Sequence, residues 1–125
     1  MELKHHKLRQ LESGRRRGWI IYLLFTARPT PLSFKMLWEL LDANNMPLTC
    51  RQFSEKVEYL RSLGFVRVFE NDLGDALSNT QQARLIQKFC DQDGESGDHY
   101  FAVLSTDGVK FQEGHIDDQS VTRVN

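Results

Sequence analysis

Cysteine is scarce in this chain: Cys50 and Cys90 are the only two, and they stand far apart in sequence. There is no C-x-x-C, and His99 and His115 are not spaced as metal pairs, so no structural zinc site is expected. Disulfides are rare in reducing compartments, and both thiols read as reduced. His5 and His6 are adjacent, and neighbours in sequence point to different faces of a helix. Long apolar runs are missing too. The longest, Trp19–Ala27, falls well short of the roughly 18 residues that cross a bilayer, so no membrane partner is expected. Arg15–Arg17 before it imitate a signal-peptide n-region, but a polar stretch comes first and no small-x-small cleavage site follows. That run reads as a buried helix.

A dominant charge is also absent. Formal net charge is −1, so any attraction to phosphate must come from local patches. Catalytic signatures are lacking: there is no G-x-S-x-G, H-E-x-x-H or G-x-G-x-x-G, and the chain does not read as an enzyme or as a cofactor or metal binder. Asp91, Asp93, Glu95 and Asp98 depart from the calcium-loop pattern, because Gly94 arrives early and no glutamate closes the loop. A solvated turn is the plainer reading.

What is present is a series of capped segments. At 14.6 kDa the chain is long enough for one core and too short for two ordinary domains. Residues 1–14 read as a polar basic arm, either a frayed helix or disordered, with Leu3, Leu8 and Leu11 as anchors. Helix one is expected over about Arg16–Thr26, ended by Arg28-Pro29-Thr30-Pro31. Ser33 caps a second helix, Phe34–Ala43, with Met36, Leu37, Leu40 and Leu41 as its buried stripe. Thr49 and Gln52 have capping-box spacing, and Phe53, Val57 and Leu60 follow at i, i+4, i+7. Gly64 stands where a left-handed residue ends such a helix, and Phe65–Phe69 should then extend as a strand.

Beyond that strand the pattern is less simple. Asn71–Gly74 is a turn, and Ser78 with Gln81 forms a second capping box. Thr80–Cys90 reads as an amphipathic helix, with a strand over Ala83–Phe89 as the competing assignment. His99–Leu104 should be a strand pairing with Phe65–Phe69, Thr106–Gln112 a short helix, and residues 113–125 a polar tail. The fold class is therefore α+β, mainly α: three helices, a two-stranded β-wing enlarged over residues 71–98 by an inserted helix, and a short C-terminal helix. Residues 15–112 make up the domain.

A helix delivered straight into a strand suits presentation to a DNA groove. The third helix offers Arg51, Gln52, Ser54, Lys56, Tyr59 and Arg61, residue types that reach bases or phosphates. Glu55 and Glu58 oppose them, and a solvated helix face is the competing reading. The stronger patch is Met1–Gly18, where Arg15, Arg16 and Arg17 join Lys4, Lys7 and Arg9 against Glu2 and Glu12. Such an arm can follow a phosphate backbone or minor groove, and a solvating terminus is the competing reading. Asn71–Asp98 carries six acids against Arg84 and Lys88, the wrong sign for a wing lying on DNA.

The segments RRRGWIIYLLFTARPTPLS, PLTCRQFSEKVEYLRSLGFVRV and YFAVLSTDGVKFQEGHID, in that order, resemble the winged-helix superfamily, including arsenic-resistance-type and multiple-antibiotic-resistance-type bacterial regulators. More narrowly, they resemble small winged-helix proteins of Mu-like phages and prophages. The resemblance covers most of residues 15–123 and is weakest at Asn71–Asp98. It implies a winged-helix fold and DNA binding. The leading expectation is a non-enzymatic protein that binds double-stranded DNA as a homodimer in the cytoplasm of a bacterial host, acting in transcription regulation or phage DNA metabolism. The alternative is a protein-interaction module that docks a phage or host protein through residues 78–90.

Overall fold

A computed structural model describes residues 2–71 and 76–125, with the side chains of 2–6 left out. The elements run α1 (Glu2–Ala27), β1 (Leu32–Ser33), α2 (Phe34–Ala43), α3 (Cys50–Ser62), β2 (Val66–Glu70), α4 (Asn79–Asp91), β3 (Tyr100–Leu104) and α5 (Thr106–Gln112). The fold is α+β, with five helices around a small antiparallel sheet among the described residues. None of those helices is long and apolar enough to cross a membrane.

The expected caps hold the helix starts. Ser33 accepts from the Met36 N–H, and Thr49 and Ser78 each form a complete capping box, with Gln52 and Gln81 reaching back. Four helices end by one device. Asn45, Gly64, Asp93 and Gly114 take positive φ, and the next N–H donates five residues back, to Leu41, Leu60, Phe89 and Lys110. This is the Schellman closure, which satisfies carbonyls left open at a helix end.

Several expectations need correction. Helix one is longer than Arg16–Thr26: it is continuous from Glu2, because no proline interrupts the polar stretch and both of its glycines are accommodated. The sheet has three strands rather than two, since Leu32–Ser33 pairs with Ala102 and Phe101 and gives the order β1-β3-β2. In α2 the buried residues are Phe34, Leu37 and Leu41, while Met36 lies on the open side and is exposed. The expected turn at Asn71–Gly74 lies largely outside the described residues.

Residues 80–90 are helical, as the capping box implies, and not a strand. The apolar face of α4 packs against α3 and β2, burying Gln82, Leu85, Ile86 and Phe89. Gln82 is the polar member of that stripe: its Oε1 accepts from the Val68 N–H at 3.0 Å and its Nε2 donates to the Leu77 carbonyl at 3.1 Å. Phe89 meets Phe34, Phe53, Trp38 and Tyr100 edge-on in one aromatic cluster, with centroids 5.1 to 6.4 Å away. A partner docking on residues 78–90 therefore cannot use Ile86 or Phe89, which this chain already buries.

Residues 113–125 are not a loose tail. Val121 is buried, the Thr122 N–H donates to the Gly14 carbonyl at 3.0 Å, and Arg123 donates to the carbonyls of Phe111 and Ile116. The segment lies as a strap across α1 and α5. It fits only because α1 has no side chain at two positions: a Cβ on Gly18 would stand 1.7 Å from the Thr122 carbonyl oxygen, and one on Gly14 would stand 3.1 Å from the Thr122 hydroxyl.

Candidate nucleic-acid interface

The candidate contacts divide into three groups. On the open face of α3, Arg51 is exposed and ion-pairs with Glu55 at 3.3 Å, one helical turn on. Gln52 is exposed as well, but its carbonyl oxygen accepts the Thr49 N–H at 3.0 Å and is tied to the helix start. Arg15, on α1, is exposed.

Two residues withdraw from the interface. Ser54 was expected on the exposed side of α3 but is buried, since it follows Phe53 on the face turned toward the core. Arg61 grips Glu58 through two hydrogen bonds, both 2.7 Å, and its side chain is only 11% exposed. The bond from Glu58 raises the Arg61 pKa and closes its fork. Base reading by Arg61 would require breaking that pair.

The third group is a seam between α1 and α3. Arg17 stacks its guanidinium 3.8 Å over the Tyr59 ring and donates to the Ser120 carbonyl at 3.0 Å. Tyr59 donates its hydroxyl proton to Ser120 Oγ at 2.6 Å, and Ser120 in turn donates to Asp118. Tyr59 is thus bound to the strap rather than open to a ligand. Lys56, one turn back along α3, is half-buried. Burial, then the positive charges of Arg17 and Arg16, push its ammonium pKa down, against a smaller pull from Glu55. Arg16 is partly offset by Glu12 at 3.7 Å. The fold therefore half-buries Lys56 on α3 within reach of the positive charges of Arg16 and Arg17 on α1.

Beside the seam an open cleft of about 750 Å³ is lined by Lys7, Arg9, Arg17, Tyr59, Ser120 and Thr122 among others. Its described lining contains no carboxylate. Among the described residues, no group of three or more His, Cys, Asp or Glu side chains is placed to hold a metal ion. Sequence reasoning missed Ser120 and Thr122 altogether. The available signal was Gly14 and Gly18, four residues apart within a helix, where each glycine costs about 1 kcal/mol relative to alanine.

Comparison with protein-family models, with curated proteins and with solved structures finds no match.

Proposed function

We propose that this chain is a winged-helix protein of phage or prophage origin that binds double-stranded DNA, through its backbone more than through its bases, in transcription regulation or phage DNA metabolism. The observation that carries this reading is the convergence of Arg16, Arg17 and Lys56 at the α1–α3 seam, with Arg15 and Arg51 exposed nearby in sequence. A half-buried ammonium beside two arginine charges is a setting that an arriving phosphate relieves. The order helix, short strand, two helices and a strand pair, with strand order β1-β3-β2, suits a winged helix in which α4 is an insert between the wing strands. Few free donors remain on α3, because Arg51 and Arg61 have carboxylate partners. This favours phosphate contact over sequence readout. Leu8 and Leu11, exposed on the first half of α1, support the accompanying proposal of a homodimer.

Salt-titrated anisotropy with labelled duplex tests the reading. If Arg15, Arg16, Arg17 and Lys56 neutralise about four phosphates, log affinity should fall against log salt with a slope of about −3.6. Lys56→Gln should flatten that slope by about 1 on every sequence tried. Absence of salt-sensitive binding at micromolar protein, on duplexes of varied sequence, would sink the proposal.

A further inference from the structure

The two cysteines that sequence separates both lie at one end of the α3–α4 contact. Cys50 is the first residue of α3 and Cys90 lies in the last turn of α4. Phe53, one turn beyond Cys50, and Phe89, the residue before Cys90, have ring centroids 5.8 Å apart. The chain leaving α4 folds back over the first thiol. The Asp93 N–H donates to the Cys90 carbonyl at 3.1 Å, and Gly94 follows with φ of +82°. A Cβ on Gly94 would stand 3.4 Å from Cys50 Sγ and 2.6 Å from the Trp38 ring. Both cysteines are free and half-buried. Nothing in the DNA-binding reading uses them.

We propose that Cys50 and Cys90 form a dithiol site that a hydroperoxide converts to an intramolecular disulfide, stapling the end of α4 to the start of α3. A helix start ordinarily favours a thiolate. Here burial, then the nearby Cys90, raise the Cys50 pKa, with Asp93 adding to the effect. The Gly94 turn also covers the Cys50 sulfur, so Cys50 is the less accessible nucleophile and Cys90 makes the first attack. The Cys90 thiolate takes the distal peroxide oxygen, the O–O bond breaks, and the alkoxide leaves as an alcohol after gaining a proton. Cys50 then attacks the sulfenic sulfur and water departs. Two thiols and one hydroperoxide give one disulfide, one alcohol and one water; the thiols are oxidised and the peroxide reduced.

The test is mass spectrometry on the intact reduced protein after hydrogen peroxide treatment and alkylation. The expected product has lost two hydrogen atoms, has no alkylatable thiol, and yields a Cys50–Cys90 linked peptide that dithiothreitol reverses. The bridge should form more slowly in guanidinium chloride, because the fold supplies the proximity. In Cys50→Ser, dimedone should label Cys90 as a sulfenic acid; Cys90→Ser should leave Cys50 largely unlabelled. Two alkylatable thiols after oxidation, only interchain disulfide, or equal rates in native and denatured protein would overturn the proposal. None of these outcomes depends on DNA binding, so the two readings fail separately.

Discussion

Helix α4 and the strap at residues 113–125 both look peripheral in sequence, yet both complete the fold, and by opposite means. Helix α4 enters the core through its side chains: Leu85, Ile86 and Phe89 are buried against α3 and β2. The strap reaches α1 through its main chain, with the Thr122 N–H on the Gly14 carbonyl and the Ser120 carbonyl on Arg17, while Val121 and Arg123 add side-chain contacts. Side-chain burial writes a helical period into the sequence, which can be read. Main-chain contacts write no period into the docking segment. It leaves its mark on the partner, as residues small enough to let a backbone approach.

The largest expected effect breaks the α4 side of this comparison. Phe89→Ala empties the middle of the aromatic cluster and should lower stability by about 3–5 kcal/mol in urea unfolding. A loss below about 1 kcal/mol would mean that α4 is an attachment and not part of the core. The next effect sharpens the strap side by its sign. In an ordinary helix interior Gly18→Ala would stabilise by about 1 kcal/mol. Here the new methyl meets the Thr122 carbonyl, so the strap must leave and Val121 must re-expose, a loss of about 1.5–3 kcal/mol. The net should be a destabilisation of about 0.5–2 kcal/mol, and it should revert to a gain when residues 114–125 are deleted. A stabilising Gly18→Ala in the full chain would show that the strap is dispensable.

The smallest effect concerns the cap of α4. Ser78→Ala removes the acceptor for the Gln81 N–H and should cost about 1 kcal/mol in the same unfolding assay. Ser78→Gly should cost only a few tenths. Equal losses in the two variants would indicate that the serine does something other than cap.

The same contrast explains what the sequence disclosed. The Thr49–Gln52 and Ser78–Gln81 boxes, the Gly64 closure and the Phe53-Val57-Leu60 stripe are local, and each was readable because its partners lie within a turn or two. The burial of Ser54 and the pairing of Arg61 with Glu58 were not legible, because helical spacing says which residues share a face, but not how wide the buried face is or which cation already has a carboxylate. Strand β1 was missed because two residues are too few for any pattern, and their pairing with β3 is decided from the far side of the chain. The meeting of Cys50 with the end of α4 was illegible for the same reason: it depends on how α4 lies on α3.

The groove at Gly14 and Gly18 also has a history during synthesis. Arg17 and Ser120 are 103 residues apart. At ordinary translation rates a ribosome takes roughly 5–20 s to make the intervening chain. Through that interval the first helix can exist while the surface that receives the strap is still bare, its glycines giving little resistance to fraying. This contact therefore closes late, when residues 120–122 return to a helix made about a hundred residues earlier.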